Sequence, residues 1–135
     1  MVLQVGVKVF LKNKDGKYLL VKRSPKKYPN VKGLWDIVGG RINTGAGLIE
    51  NLRREVKEET GLGIISEPRL IAAQDIIANG EKHVVRLSYV AGTEGEPTLD
   101  TDENVEYQWC TLEEIKAQPG LDICVKEIVE KSLLK

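Results

Sequence analysis

The chain has 135 residues, 41% of them hydrophobic, a length that fits one domain (residues 1–135) with a substantial buried core. Its 20 Lys and Arg residues equal its 20 Asp and Glu residues, so the net charge does not favour nucleic acid or a membrane surface as a partner. No apolar run approaches the ~20 residues that cross a bilayer, and the first residues lack a signal-peptide layout, so we expect a cytoplasmic protein.

The first part of the chain predicts a β-hairpin followed by a basic loop. Residues 2–11 alternate and are rich in β-branched side chains, residues 13–16 have the turn sequence NKDG, and residues 17–22 predict the returning strand. The loop at 23–33 contains turn residues and several lysines. It is either an ordinary solvated loop or a flap that attracts a polyphosphate. For the second interpretation, Arg23 at the strand end is the best candidate for a phosphate contact.

A glycine pair and a second loop precede a predicted helix. Gly39 and Gly40 follow the apolar segment at 35–38, and Gly45 and Gly47 lie in the next loop. Paired glycines let the backbone turn sharply and let carbonyl groups approach a ligand closely. These glycines therefore indicate that the helix is preceded by a backbone suited to ligand binding.

The predicted helix carries an apolar stripe and a cluster of carboxylates. Glu55 and Glu59 lie one turn apart at the margin of the stripe, with Glu58 beside them. Like charges repel, and partly desolvated carboxylates need a partner, so a divalent cation, an arginine or both would stabilise this cluster. Taken alone, a helix rich in Glu and Lys favours a solvated surface instead. The residues of the stripe are Leu48, Ile49, Leu52 and Val56.

The middle of the chain predicts a second pair of strands. Residues 65–77 are strand-like but interrupted by Pro68, and residues 82–90 alternate after the turn signal Asn79-Gly80. The only histidine, His83, is expected on a strand surface, so neither a histidine triad nor a zinc cluster is predicted.

The last part of the chain predicts an acidic turn, a strand and two helices. The cluster at 102–106 precedes a strand at 107–110 and is either a solvated turn or a source of further carboxylates. Thr111 and Glu114 form a capping-box signature, and Asp122 is a candidate cap for the final helix. The core-facing stripe of that helix is predicted to be Leu121, Val125, Ile128, Val129 and Leu133.

The two cysteines, Cys110 and Cys124, lack the paired spacing of metal ligands. We expect buried free thiols rather than a disulfide.

The stretch that contains the glycine pair and the carboxylate helix resembles the Nudix box of MutT-like Nudix hydrolases. The motif is Gly, five residues, Glu, seven residues, and then Arg-Glu-aliphatic-any-Glu-Glu-any-Gly-aliphatic. The matching positions are Gly40, Arg54, Glu55, Val56, Glu58, Glu59, Gly61 and Leu62.

Two positions depart from the family pattern. Ala46 stands where the motif has its first glutamate, and alanine can neither coordinate a metal nor accept a proton. Val38 stands where a proline commonly precedes the glycine pair, which frees a backbone N–H and is tolerable at a strand end. The first departure brings the catalytic rate into question, although the three helical carboxylates are retained.

The resemblance implies an α/β (α+β) fold, a Nudix-type α/β/α sandwich with a mixed sheet between the box helix and the C-terminal helix. It also implies Mg²⁺ or Mn²⁺ as the cofactor. A further glutamate from the acidic loop is expected to join the box helix at the metal, and by position this is Glu103, with Glu106 as the alternative. The implied metal ligands are the Gly39 carbonyl, Glu55, Glu58, Glu59 and Glu103.

Roles within this site follow from the chemistry of phosphoanhydride hydrolysis, which needs charge neutralisation and activated water. We assign catalytic roles to Glu55, Glu58 and Arg54. Glu55 is the first choice for the group that orients or deprotonates water, with Glu103 second. Arg54 is expected to pair with a box glutamate and fix its rotamer.

The expected activity is Mg²⁺-dependent hydrolysis of a nucleoside diphosphate linked to another group, with a (d)NTP giving NMP and pyrophosphate as the first choice. A nucleotide-binding sensor with little turnover, because of Ala46, is the first alternative, and a protein–protein module that retains only the fold is the second. A small nucleotide is the expected partner, nucleic acid is not, and the sequence leaves monomer and homodimer open.

Overall fold

The computed structural model describes residues 1–78 and 80–134, and within them a seven-stranded sheet is flanked by helices. The strands are β1 (Val2–Lys12), β2 (Tyr18–Arg23), β3 (Trp35–Asp36), β4 (Val38–Arg41), β5 (Arg69–Ala78), β6 (Lys82–Gly92) and β7 (Asn104–Cys110). The helices are α1 (Leu48–Thr60), α2 (Leu112–Ala117) and α3 (Ile123–Glu130).

Strand β1 is the centre of the sheet. It pairs in parallel with β6 along its whole length, and antiparallel with β4 and with the start of β2. Strand β2 also pairs with β3 and β7, and β5 pairs antiparallel with β6. The β1–β6 pair makes the sheet mixed, which confirms the predicted fold class.

The two faces of the sheet support separate hydrophobic cores. Alternation along β1 sends Val7 and Val9 towards Leu52 of α1, whereas Phe10 faces the opposite side and packs in the core that contains Ile128 of α3. The box helix and the C-terminal helix therefore cover opposite faces, as the α/β/α prediction requires. Lys8 shares the face of Phe10 but lines an open cavity instead of the core.

Helix α1 begins after Gly47, and its C-cap is Gly61, with a left-handed φ of 70°. Leu52 is fully buried and packs in the core, as predicted, and Ile49 packs against the same core. The prediction was wrong for Leu48, which is 39% exposed. Because Leu48 is the first residue of the helix, it precedes the turn that packs on the sheet.

Three further boundaries differ from the predictions. Strand β5 begins at Arg69, so Pro68 ends the preceding loop and does not interrupt a strand. Strand β7 begins at Asn104, inside the predicted acidic turn, because its first residues pair with the end of β2. Leu133 is exposed and Leu134 is buried, since α3 ends at Glu130 and the helical period does not extend to them.

Several local predictions are confirmed. Thr111 and Glu114 form a reciprocal capping box, and the Asp122 side chain accepts hydrogen bonds from the first turn of α3. Cys110 and Cys124 are buried free thiols. The turn predicted at Asn79-Gly80 falls partly on Asn79, which lies outside the described residues.

None of the helices in residues 1–78 and 80–134 combines the length and apolar character that crossing a membrane requires.

The packing of α1 predicts a difference between two leucines on the same helix. Leu52→Ala should lower the free energy of unfolding by about 2–5 kcal/mol, because it leaves a cavity in a closed core. Leu48→Ala should lower it by less than about 1 kcal/mol, because its side chain is partly exposed. Urea denaturation at pH 7 measures both, and equal losses would contradict this account of α1.

Candidate active site

A cavity of about 630 Å³ lies on the sheet face that carries Lys8, beside the region covered by α3. Its floor crosses four neighbouring strands, since Gly6 of β1 pairs with Arg41 of β4 and with Arg86 of β6, and Val84 of β6 pairs with Ile76 of β5. All of these residues line the cavity. A pocket of this volume is large enough for a nucleotide-sized ligand.

The glycine pair lets β4 lie close to β1 at Gly39 and to α1 at Gly40. Gly39 has φ +147°, and a Cβ on it would lie 2.0 Å from the Val7 carbonyl oxygen. A Cβ on Gly40 would lie 2.7 Å from Oε2 of Glu55. Any larger residue at either position would therefore displace the backbone or the Glu55 carboxylate.

Glu59 is the most buried carboxylate of the box. It is 9% exposed, and it accepts hydrogen bonds from the Gly39 N–H at 3.0 Å and from Asn104 Nδ2 at 3.1 Å. Burial raises the pKa of Glu59 to about 7, with a smaller upward effect from Glu55, against the opposing influence of Lys8 and the two donors. Both of its hydrogen-bond donors are neutral groups. These bonds therefore do not fully offset the cost of burying the ionised carboxylate.

Arg54 pairs with box glutamates, as predicted. Its Nη1 lies 3.0 Å from Glu55 Oε1 and donates to Glu58 Oε2 at 3.1 Å. Its Nη2 donates to Asn51 Oδ1 at 3.1 Å. One guanidinium therefore holds two of the candidate catalytic carboxylates and is itself held from within α1.

Glu103 faces the cavity, and its alternative Glu106 does not. Glu103 lines the cavity and accepts hydrogen bonds from Lys27 and, at 2.7 Å, from the Tyr28 hydroxyl. Burial alone would raise the pKa of Glu103, but these two partners hold it below its usual range. Glu106 pairs with Lys22 at 3.3 Å on an exposed part of the sheet.

A buried group of charges centred on Asp36 was missed in the sequence. Asp36 is fully buried and contacts Arg23, Arg86 Nη2 at 2.8 Å and Lys8 Nζ at 3.2 Å. Burial would raise the pKa of Asp36, but the three cations hold it far below its usual range. Arg86 also lies 3.4 Å from Asp122, which joins the group to the start of α3. One nitrogen of Arg23, the predicted phosphate contact, is therefore already paired with Asp36.

The signal for this group was a charged residue within an apolar segment. Asp36 stands between Trp35 and Ile37, and Arg86 occupies an inward position of an alternating strand. Buried charges need partners. The sequence therefore indicated that partners exist, but not which ones.

Within the described ranges, no three His, Cys, Asp or Glu side chains are grouped as a preformed metal site. Arg54 holds Glu55 and Glu58, and Lys27 holds Glu103. The donor chemistry nevertheless fits a hard divalent cation, because Glu59 is buried among neutral donors and the Glu55 carboxylate packs against Gly40. The residues predicted as ligands that line this one cavity are Gly39, Glu55, Glu58, Glu59 and Glu103.

The sequence model of the NUDIX domain matches residues 2–131, nearly the whole chain. The chain belongs to the Nudix family. The family's box thus corresponds to β4, the loop after it and α1, and of these β4 and α1 line the acidic side of the cavity.

Individual Nudix relatives agree with this assignment. A Bacillus subtilis (strain 168) protein provisionally named 8-oxo-dGTP diphosphatase is 32% identical over 104 residues, covering 77% of this chain and 64% of the relative. Nudix hydrolase 8 of Arabidopsis thaliana is 29% identical over 132 residues, covering 94% of this chain and 35% of the relative. The chain therefore spans about a third to two thirds of these curated relatives.

A solved structure gives the same result for the fold. The crystal structure of a MutT Nudix hydrolase from Burkholderia pseudomallei superposes with a TM-score of 0.78 at 27% identity. The match covers 96% of this chain and 98% of that one. The arrangement of strands and helices is thus that of a MutT-like Nudix domain.

The ion pairs of Asp36 predict how the free energy of unfolding changes at acid pH. Because Asp36 has a lower pKa folded than unfolded, its stabilising effect is present above about pH 4 and is lost as the pH falls below that value. Asp36→Asn should lower the free energy of unfolding at pH 7 by about 3–5 kcal/mol, since buried Arg86 loses its nearest carboxylate and keeps only Asp122, at 3.4 Å.

The same variant should lose less stability than wild type between about pH 5 and pH 3, because it lacks the titrating group. Denaturant titrations across this range measure both effects. Asp15→Asn, in the exposed turn after β1, is the control and should leave both unchanged. A steeper acid loss in Asp36→Asn than in wild type would contradict the assignment.

Proposed function

We propose that this Nudix domain hydrolyses a phosphoanhydride bond in a nucleoside diphosphate linked to another group. The observation that carries the proposal is the composition of the cavity. Beside β4 and α1 it is acidic, and beside β5 it is lined by Ile76, Val84 and Ile123. An acidic end suits a metal-bound diphosphate, and an apolar end suits a flat base.

The acidic end has more negative than positive side chains, so it would repel a diphosphate unless cations are present. A bound Mg²⁺ or Mn²⁺ ion supplies charge neutralisation and lowers the pKa of a water molecule. The groups that would hold one or more such ions are the Gly39 carbonyl, Glu55, Glu58, Glu59 and Glu103.

Within this group the side chains have different roles in the proposal. Glu59 is fixed by Gly39 and Asn104 and is best suited to hold an ion without moving. Glu55 borders the cavity beside Gly40, and we assign it the water-orienting role, with Glu103 as the second choice. Arg54 is a positioning residue, since it holds Glu55 and Glu58 by their carboxylates.

Arg23 is the proposed contact for a substrate phosphate. Its guanidinium has five N–H groups. The Nη2 atom donates to Asp36, so the N–H groups on the other two nitrogen atoms are left for a ligand. The group also lies over the Tyr28 ring, with 5.7 Å between Cζ and the ring centroid. Asp36 and Tyr28 thereby fix the orientation of a cation at the cavity wall.

The first-choice substrate is a nucleoside triphosphate cleaved to NMP and pyrophosphate. The name of the Bacillus relative supports a purine triphosphate, including an oxidised one. The cavity volume of about 630 Å³ supports a single nucleotide rather than a polymer. Product identification on a panel of nucleoside triphosphates, sugar nucleotides and dinucleotides tests this choice.

Glu59→Gln provides the central test of the metal-dependent activity. It should lower kcat/KM by about 30- to 1000-fold or more, which corresponds to a loss of about 2–4 kcal/mol of transition-state stabilisation. Millimolar Mn²⁺ should raise the Tm of the wild type and not that of the variant, because the buried carboxylate is the least replaceable ligand. Glu50→Gln, on the exposed side of the same helix, is the matched control and should behave as wild type.

The outcomes of this assay separate the hypotheses. Turnover that disappears in Glu59→Gln supports the hydrolase. Nucleotide binding with no product from any substrate in Mg²⁺ or Mn²⁺ would favour the sensor, for which Ala46 is the relevant feature. A Tm that does not respond to Mn²⁺ in wild type would contradict the metal site.

Arg23→Lys tests the phosphate contact without removing the positive charge beside Asp36. KM should rise about tenfold or more, because a charged hydrogen bond contributes about 1.5–3 kcal/mol. The kcat value should change less than KM, and the Tm should stay close to that of wild type. Lys26→Gln, an exposed change in the same loop, should leave KM unchanged. A lower Tm with an unchanged KM in Arg23→Lys would indicate that Arg23 has a structural role only.

A further inference from the structure

Asn51 is a buried side chain of α1 that the family motif does not specify. It lies one turn into the helix and is 1% exposed. Its Oδ1 accepts hydrogen bonds from the Asn43 N–H at 2.9 Å and from Arg54 Nη2 at 3.1 Å. Its Nδ2 donates to the carbonyls of Ala46 at 3.1 Å and Gly47 at 2.8 Å.

These four bonds match the donor and acceptor capacity of a carboxamide, with two N–H donors and two oxygen lone pairs. An aspartate at position 51 would put a second carboxylate oxygen against two carbonyl oxygens. A leucine would leave the Asn43 N–H and two carbonyls without their partner. The environment of position 51 therefore specifies an amide.

The bonds connect the loop before α1 to the arginine that holds the carboxylates. Gly47, the N-cap of α1, makes no side-chain capping bond. The amide of Asn51 ties down the loop at Asn43, Ala46 and Gly47 from inside the helix, and the same Oδ1 fixes the guanidinium of Arg54. The position of the loop and the position of Arg54 thus depend on one side chain.

We propose that Asn51 is a positioning residue that takes the place of the glutamate missing at Ala46, by holding Arg54 and, through it, Glu55 and Glu58. The inference rests on the proposed function only in its last step, from the carboxylates to metal and substrate. The link from Asn51 to Arg54 stands on the hydrogen bonds alone.

A glutamate restored at position 46 should be able to reach Arg54. The Ala46 carbonyl and Arg54 Nη2 are bridged by the single carboxamide of Asn51, with 3.1 Å on each side. Removing that amide opens the space between them, and a glutamate side chain has the length to cross it. Asn51→Ala and Ala46→Glu should therefore be coupled rather than additive.

The experiment compares wild type, N51A, A46E and N51A/A46E. Without metal, NMR hydrogen exchange measures the Asn43 amide and the side-chain N–H groups of Arg54. N51A should accelerate exchange at both by about 2- to 10-fold, the loss expected for one hydrogen bond. The double variant should restore protection at Arg54 only, because the introduced glutamate replaces the arginine contact and not the bond to the loop.

The second measurement is Mn²⁺ affinity by titration calorimetry. N51A should weaken binding about 10- to 100-fold, as expected when a residue that orients metal ligands is lost. N51A/A46E should recover most of this affinity, while A46E in the wild-type background should change it little. T93V, which removes a buried hydroxyl bonded to the Gly63 carbonyl, controls for a general loss of stability and should keep wild-type affinity.

N51D keeps the acceptor towards Arg54 but sets a carboxylate oxygen against the Ala46 and Gly47 carbonyls, so it separates the arginine contact from the loop contacts. Either variant, compared with wild type, decides the outcome if the other does not fold. N51D should retain Mn²⁺ affinity better than N51A. The proposal would be overturned if N51A and N51D weakened Mn²⁺ binding equally, or if N51A/A46E recovered no Mn²⁺ affinity. Either result would mean that Asn51 only packs the loop. A wild type that binds no Mn²⁺ would defeat the proposed function, whereas the exchange data would still decide the link between Asn51 and Arg54.

Discussion

The close contact between the glycine pair and α1 is the constraint on which the rest of the site depends. Gly39 adopts a backbone conformation that a side chain would strain, and Gly40 lies against the Glu55 carboxylate. This contact lets the Gly39 N–H donate directly to Glu59, so the helix is joined to the sheet by the acidic groups themselves. The hydrophobic stripe of α1 holds the helix on the sheet, and the glycines set how close its polar edge can come.

Two buried carboxylates in the same cavity have opposite electrostatic environments. Three cations surround Asp36 and keep its pKa low, so its negative charge is already compensated within the protein. Neutral donors contact Glu59, whose pKa is raised to about 7 by burial. In the proposed function, a divalent cation would therefore gain most at Glu59, whereas Asp36 stabilises the wall that carries Arg23 and Arg86.

The sequence predicted the parts of the site that depend on local geometry. A helical repeat places Glu55, Glu58 and Glu59 on one edge whatever the helix packs against, and the structure has them there. The partners of Asp36 depend instead on the parallel register of β1 with β6, which brings Arg86 level with Gly6. No local pattern encodes that register. The errors at Leu48 and Leu133 have a related cause, since periodicity does not specify where a helix starts or stops packing.

The proposed metal site has no preformed geometry among the described residues, and the arrangement of the remaining carboxylates shows what assembling it would cost. Glu58 and Glu103 are held by Arg54 and Lys27 in ion pairs that are largely exposed, and such pairs contribute little to stability. Exchanging them for metal contacts would therefore cost little free energy, while Glu59, which is buried and already fixed, would not need to move. The cost of assembling the site thus falls on the most exposed contacts. The bond between Arg54 and Asn51 would keep the guanidinium in place on α1 during this exchange.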